Sequence, residues 1–372
     1  MKNIFFILIF LCAGIVKSQY NEQLYKKAFS YVYENPDNAE KLVLKMLRDE
    51  KDTDHMIKLY QLLSRVYMSK RDFDKSLDCI LKMKELSKSI TDPKQKIKIL
   101  NSVALQYQNM GLYSKTLESL DEYYKICQTL PAGKFKTLYL GLNSAVRGLV
   151  YKNQDNNEMA LEKFFEALSY INQVGDFENS VANSSVILYN VGYCYFYLKR
   201  YNEAEKYFIK SAEVAKSVHA ESLEAFAYKG LSENYTVLAQ HQQAIQLLKK
   251  SVNLSKKVGD LVLSEGIYKG FADNYLALQD WNNYVLYNKL YNETKFSREQ
   301  NELASLNKSI DVLNEENNRK IEQQNRKLRI ISVIITVFAS AIFFWFLRRF
   351  ILYKKRNGIL LKKLNQINKI TS

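Results

Sequence analysis

The chain has 372 residues, with 12 glycines, 3 prolines and a formal net charge of +15. So little glycine and proline excludes a disordered chain and argues against a sheet-rich fold with many tight turns. A nucleic-acid-binding protein would concentrate its positive charge on the folded body. Here eight basic residues and no acidic residue lie within residues 348–372, beside an apolar stretch, so we expect no direct binding to nucleic acid.

The first predicted element is a secretory signal in residues 1–18. Lys2 precedes an apolar run over residues 4–16, and the small residue Ser18 stands where cleavage is expected. A basic start, a short apolar run and a small residue before the cut are the features of such a signal. The run is short of the ~20 residues that cross a bilayer as a helix. We expect cleavage after Ser18, which places the following residues outside the cytoplasm.

The next region repeats one residue pattern several times. A large apolar residue is followed three positions later by an apolar residue, then by a small residue and a tyrosine, and after a turn by a small residue with an apolar one four positions on. The clearest copy contains Leu188, Val191, Gly192, Tyr195, Ala204 and Phe208. The next copies contain Tyr228, Leu231, Tyr235, Ala244 and Leu248, and then Tyr268, Phe271 and Tyr275. We interpret these residues as the packing layer of paired helices, in which Gly192 faces Ala204.

This register resembles the tetratricopeptide repeat, whose unit is two antiparallel helices. The resemblance implies an all-α solenoid of about six to seven helix hairpins, which we assign to residues 19–295. The spacing of about 40 residues exceeds the usual 34, so we expect longer helices than usual. The small residue of each second helix is expected at Ala39, Ser76, Thr116, Ala160, Ala204 and Ala244, with Tyr284 as a departure in the last unit.

The resemblance also implies a binding surface, because the first helix of each unit lines the concave face of such solenoids. We predict that a protein or peptide partner contacts Tyr189, Asn190, Tyr193, Tyr197, Lys229 and Glu233. The three tyrosines are four positions apart and therefore share one helix face. Aromatic side chains offer a large contact area with a polar tip. The alternative is that these rings pack against neighbouring helices.

Two predicted elements follow the repeats. Residues 296–329 predict a polar neck helix, in which Leu303, Leu306, Ile310, Leu313 and Asn317 follow the spacing of a short coiled coil that could join two copies as a homodimer. Residues 330–347 contain no charged residue, and as a helix they would cover roughly 27 Å of a hydrocarbon core about 30 Å thick. We therefore predict one transmembrane helix in contact with the lipid bilayer.

The basic residues 348–372 set the expected orientation. An excess of lysine and arginine marks the cytoplasmic side of a membrane segment. We expect this tail in the cytoplasm and residues 19–295 in the periplasm, which makes the chain a single-pass protein of the inner membrane. The signal in residues 1–18 leads independently to the same orientation.

The sequence contains no motif that predicts catalysis, a cofactor or a metal site. It has no glycine-rich phosphate loop, no GxSxG elbow and no HExxH pair. Cys79, Cys127 and Cys194 lack the CxxC spacing, so we interpret them as buried structural thiols. We therefore expect a protein that is not an enzyme.

The predicted layout resembles bacterial membrane regulators in which a periplasmic tetratricopeptide array precedes a transmembrane helix and a cytoplasmic effector. The tail after residue 347 contains no histidine for phosphotransfer and is too short for a helix-turn-helix domain. Our first hypothesis is a non-enzymatic interaction or sensor scaffold in signal transduction. The second is a truncated transcriptional regulator or histidine kinase that lacks its DNA-binding or kinase domain.

Overall fold

The computed structural model describes residues 22–256 and 260–370, and these residues form fourteen α-helices and no strand. The predicted signal in residues 1–18 lies outside the described residues. In chain order the helices are α1 (Glu22–Glu34), α2 (Pro36–Asp49), α3 (Thr53–Ser69), α4 (Phe73–Ser87), α5 (Pro93–Asn109), α6 (Tyr113–Thr129), α7 (Lys134–Asn153), α8 (Asn157–Asn172), α9 (Ser180–Tyr197), α10 (Tyr201–Ser217), α11 (Glu221–Val237), α12 (His241–Ser255), α13 (Leu261–Ala277) and α14 (Trp281–Ile370). The predicted all-α class is confirmed.

The helices pair as hairpins, and the hairpins stack into a solenoid. Each helix from α1 to α12 contacts the next along the chain, and each first helix from α1 to α11 also contacts the first helix of the following hairpin. The last hairpin joins α13 to the start of α14, where the rings of Phe271 and Tyr287 stack with centroids 4.3 Å apart. The described residues therefore form seven hairpins in the predicted arrangement.

Six of the described hairpins share one turn geometry. In the fifth hairpin Lys199 adopts a left-handed conformation with φ of +58°, and the backbone N–H of Arg200 donates to the carbonyl of Tyr195 at 2.8 Å. The equivalent left-handed residues are Arg71, Gly111, Asp155, Ala239 and Gln279. This backbone pattern is the Schellman motif, in which the carbonyl of the repeat's tyrosine accepts the closing hydrogen bond. Five of the six residues are not glycine, so the packing of the two helices holds a conformation that costs these side chains ~1–2 kcal/mol.

The predicted small residues lie where the second helices begin. Ala39, Ser76, Thr116, Ala160, Ala204 and Ala244 are all 0% exposed. Tyr284, the predicted departure, is half-buried near the start of α14. The spacing of the pattern therefore located the second helix of each of the first six hairpins.

The ring of Phe208 fills the space between three helices. A Cβ atom added to Gly192 of α9 would lie 2.7 Å from Phe208 Cδ1, and one added to Gly230 of α11 would lie 2.5 Å from Phe208 Cε1. The Phe208 ring therefore packs directly on the backbone of Gly192 on one side and of Gly230 on the other. The nearest side-chain atoms to Gly192 belong to Phe208, and the expectation that Gly192 faces Ala204 stays a prediction.

Helix α14 continues without interruption from the last hairpin to Ile370. It contains no proline and a single glycine, Gly358, so nothing in its sequence forces a break at the predicted boundaries 296, 330 and 348. Leu303 is 63% exposed. The side chains of the other predicted neck residues, Leu306, Ile310, Leu313 and Asn317, lie outside the described part of the chain. The homodimer and the limits of the domains stay predictions.

Part of α14 has the composition of a membrane span. The segment Ile321–Lys362 contains a stretch with a mean hydropathy of 2.6, and by length and composition it could cross a membrane. The contacts of the chain divide it into two compact units, Met1–Asn307 with the solenoid and Lys308–Ser372 with this stretch.

Candidate ligand groove

Two adjoining cavities lie along the first helices of the hairpins, on the face that is concave in tetratricopeptide solenoids. One of about 90 Å³ lies between α5, α7 and α9 and is lined mainly by apolar side chains, among them Leu105, Leu142, Leu149 and Val186, together with the polar Asn190. The other, of about 200 Å³, is lined by Ser185, Val186, Tyr189, Asn190, Ser211, Leu223 and Phe226. Val186 and Asn190 belong to both cavities, so we call the pair of cavities the groove.

Tyr193 lies beside the groove but is packed rather than free. It is 6% exposed, and its ring meets Phe208 edge to face with centroids 5.0 Å apart. Its hydroxyl donates to Glu233 Oε2 at 2.6 Å and accepts from Lys229 Nζ at 2.8 Å. Burial, together with the Glu233 carboxylate, raises the pKa of Tyr193 well above its ordinary value. The expectation of a free tyrosine at this position is therefore wrong, because the second helix of the same hairpin presents Phe208 to the ring.

The other predicted groove residues on α9 differ in accessibility. Tyr197 is 56% exposed, whereas Asn190 is 6% exposed and donates through Nδ2 to the carbonyl of Val186 at 2.8 Å. Tyr189 is half-buried and meets the ring of Phe226 edge to face, with centroids 5.9 Å apart. Of the predicted tyrosine face, Tyr189 lines the groove and Tyr197 is open to solvent. A role of these residues in binding stays a prediction.

Lys229 and Glu233 form an ion pair next to the groove. Lys229 Nζ lies 2.6 Å from Glu233 Oε1, and the two side chains are 15% and 30% exposed. The neighbouring helix α13 makes room for the lysine, because a Cβ atom at Gly266 would collide with Lys229 Cε. Burial disfavours the charge of Lys229, but the nearby Tyr189 and Glu233 outweigh it and raise its pKa. Lys229 is therefore a firmly charged cation.

Lys152 of α7 lies beside the groove and was not among the predicted residues. Its Nζ donates to Asn190 Oδ1 at 2.6 Å and lies 5.9 Å from the centroid of the Tyr193 ring. Burial of the amine is the main cause that lowers the pKa of Lys152 to about 8, and the Lys229 charge adds to it. The two cations Lys152 and Lys229 thus flank Tyr193, and Glu233 already pairs with Lys229. This end of the groove keeps one positive charge in excess.

A sequence signal for Lys152 existed. Lys152 follows Tyr151, which holds the place of the pattern's tyrosine, and Phe196 follows Tyr195 at the same place one hairpin later. A lysine in one copy and an apolar residue in the next indicate a repeat position whose side chain is not determined by the packing between helices.

The predicted packing residues divide into two groups by burial. Val191, Gly192, Ala204, Phe208, Leu231, Ala244, Leu248 and Phe271 are buried, whereas Leu188, Tyr195, Tyr228, Tyr235, Tyr268 and Tyr275 are half-buried. The half-buried tyrosines lie at the edge of the packing layer, as Tyr195 does where it stacks on Tyr207 with centroids 5.3 Å apart. The predicted interpretation of Cys79, Cys127 and Cys194 is confirmed, because all three are free and buried.

Comparisons with known proteins agree with this architecture. Residues 183–257, within α9 to α12 and the loop that follows, match the family model described as tetratricopeptide repeat. The crystal structure of NprR in complex with its cognate peptide NprX has the same fold, with a TM-score of 0.54 and 12% sequence identity over 78% of this chain and 87% of that one. A Rap protein complexed with competence and sporulation factor is similar at a TM-score of 0.48 and 13% identity, over 75% and 98% of the two chains. No match was found among curated protein sequences. Residues 183–257 therefore carry the tetratricopeptide repeat, and the chain as a whole shares the helical-repeat fold of NprR.

Proposed function

We propose that this chain is a membrane-tethered interaction protein, whose groove binds a peptide or protein segment that carries apolar side chains and an acidic group. It would act as a sensor module in signal transduction. The observation that carries the proposal is the half-buried Lys152, whose amine has an amide rather than a carboxylate as its hydrogen-bond partner and lies beside two mainly apolar cavities.

The electrostatics of the groove support an acidic ligand. A charged amine that is taken out of water without an opposite charge is destabilised, as the lowered pKa of Lys152 indicates. A ligand carboxylate would supply the missing charge, and the other two N–H groups of Lys152 are the donors for it. The Lys229–Glu233 pair is already neutral as a unit.

The sizes of the cavities support a peptide rather than a compact small molecule. Volumes of about 90 and 200 Å³ are below the ~300–1,000 Å³ of ordinary small-molecule sites. Each cavity has room for one or two side chains, and together they form consecutive pockets for an extended segment. The peptide held by NprR, whose fold this chain shares, supports the same ligand class.

Peptide binding to the full-length chain in detergent micelles tests the ligand class. The probes are synthetic decapeptides with two apolar side chains, each prepared in matched versions with aspartate or asparagine and with a free or amidated C-terminus. A charge-assisted hydrogen bond is worth ~1.5–3 kcal/mol, so we expect the acidic versions to bind about 10- to 100-fold more tightly. Lys152→Met removes this preference, whereas Lys269→Met, which changes a half-exposed lysine of α13, retains it. Failure of every peptide to bind the wild type would refute the proposal.

Reporter fusions test the proposed membrane topology. The apolar residues 330–347 and the basic residues 348–372 support a single span with its C-terminus in the cytoplasm. A reporter active only in the periplasm is expected to work when fused after Phe296, and one active only in the cytoplasm when fused after Ser372. The opposite pattern would exclude a periplasmic solenoid.

A further inference from the structure

The turn of the second hairpin meets the start of the long helix α14. Arg71, between α3 and α4, donates through Nε to Glu302 Oε1 at 2.7 Å, and its Nη2 lies 2.5 Å from the same oxygen. At the preceding position of α14, Asn301 Nδ2 donates to the carbonyl of Lys70 at 3.1 Å. These partners are separated by 231 residues along the chain.

The contact belongs to a network of alternating charges. Glu302 also accepts from Arg298 Nη1 at 2.7 Å, and Arg298 Nε donates to Glu265 Oε2 at 2.5 Å. The order is therefore Arg71, Glu302, Arg298, Glu265, and it joins the second hairpin, α14 and α13. The four side chains are 17–23% exposed. Isolated surface ion pairs contribute little to stability, but this network is continuous and largely shielded from water.

This contact does not follow from the stacking of repeats. In a solenoid each repeat contacts only its neighbours, and among α1 to α13 the helix contacts are with the next helix or the next but one. The network instead joins the turn of the second hairpin to the helix of the seventh. Arg298, Asn301 and Glu302 are spaced three and four apart, so they share one face of α14.

We propose that residues 298–302 form a latch that sets the separation between the two ends of the solenoid and thereby links the groove to α14. The groove lies on α5 to α11, between the two elements that the latch joins. A change in the curvature of these hairpins must move the turn at Arg71 relative to Glu302. The latch therefore opens when the groove changes width, and it closes when the groove relaxes. This inference rests on the ion-pair network and does not depend on the nature of the ligand.

Spin-label distances in the full-length chain in detergent micelles test the latch. One pair of labels, on cysteines introduced at Lys75 and Gln300, reports on the latch, and both positions are exposed. A second pair, at the exposed positions Asn109 and Asp273, reports on the span from α5 to α13. We expect Arg71→Gln and Glu302→Gln each to lengthen and broaden both distances. The double variant is expected to show no further change, because both substitutions remove the same contact.

Two controls make the test decisive. Lys82→Gln removes a lysine of an exposed pair in α4 and is expected to leave both distances unchanged. Raising the salt concentration screens the ion pairs and is expected to lengthen both distances in the wild type but not in the double variant. The proposal is overturned if the single variants leave the Lys75–Gln300 distance unchanged. It is also overturned if that distance changes while the Asn109–Asp273 distance does not, since the contact would then be purely local.

Discussion

The packing layer between the hairpins and the lining of the groove come from the same helices, yet they vary in different ways. In the packing layer the same contact recurs, with Phe164 against Gly148 and Phe208 against Gly192. On the groove side one repeat position changes completely from hairpin to hairpin. It holds Asn101 in α5, Ala145 in α7, Tyr189 in α9, Lys229 in α11 and Lys269 in α13.

The difference teaches where specificity can arise in this chain. A packed contact must keep its volume, because a lost or added methylene group costs stability. A groove position meets solvent or a ligand, so its chemistry can change without loss of the fold. The groove is lined mainly by apolar side chains, whereas the ion pair Lys229–Glu233 lies outside it, beside Tyr193.

Phe208→Ala is expected to have the largest effect. Its ring is fully buried between Gly192 and Gly230, and neither glycine has a side chain that could fill the cavity left behind. We expect the free energy of unfolding to fall by about 3–5 kcal/mol, measured by urea denaturation of the full-length chain in micelles. Ile209→Ala, at the next position on α10 but 38% exposed, is the matched control and is expected to cost about 1 kcal/mol or less. Equal losses from both variants would mean that the packing layer is not specific.

Gly192→Leu and Gly230→Leu disturb the same contact by adding volume to it instead of removing volume. Each adds a side chain where even a Cβ atom would overlap the Phe208 ring, so we expect each to cost about 1–3 kcal/mol. Combined with Phe208→Ala, each substitution is expected to cost less than alone, because the removed ring makes room. Gly175→Leu cannot serve as the control, because Gly175 has a left-handed φ of +64° at which a leucine would be strained whatever it contacts. Additive losses would contradict the packing described for this ring.

The sequence predicted the packing layer well because sterics restrict those positions in every repeat. Only a small residue fits at Ala160, Ala204 and Ala244, so the period was visible without a structure. The contact between Gly192 and the Phe208 ring was not predicted, for a related reason. The pattern shows which positions are small, but not which side chain fills the space that they leave.

The groove was less predictable because its residues act across hairpins. Tyr193 was predicted to contact a partner. Only the three-dimensional positions of Phe208 and Glu233 show that its ring is packed and its hydroxyl hydrogen-bonded. Lys152 was missed because its partner Asn190 lies 38 residues further along the chain. The Arg71–Glu302 contact joins residues even further apart, and no local pattern marks either residue.

Lys152→Met removes the charge beside Tyr193, and we expect it to stabilise the protein. The pKa of Lys152 falls from an ordinary 10.5 to about 8 in the folded chain, so the protonated amine opposes folding at neutral pH. Methionine removes that cost but also the hydrogen bond to Asn190, which leaves a net gain of about 1–2 kcal/mol. The gain is measured as the difference in unfolding free energy between variant and wild type across pH.

The pH dependence of this difference gives a clear sign. Below pH 8 the lysine is protonated in both the folded and the unfolded chain, so the gain is constant there. Between about pH 8 and 10.5 the unfolded wild type binds more protons than the folded one, and the stability of the wild type rises with pH. The advantage of methionine is therefore expected to shrink over that interval. A pH-independent difference would mean that the amine of Lys152 is not desolvated.

The smallest expected effects come from two ion pairs at equivalent repeat positions of α11 and α13, which differ in burial. Lys229–Glu233 and Lys269–Asp273 are both four residues apart with N–O distances of 2.6 Å, but the lysines are 15% and 56% exposed. Lys269→Met is expected to change the unfolding free energy by less than about 0.5 kcal/mol, since water replaces the lost partner. Lys229→Met leaves Glu233 without its cation and the Tyr193 hydroxyl without its donor, so we expect a loss of about 1 kcal/mol. Equal losses from the two variants would mean that the difference in burial between the two ion pairs has no effect on stability.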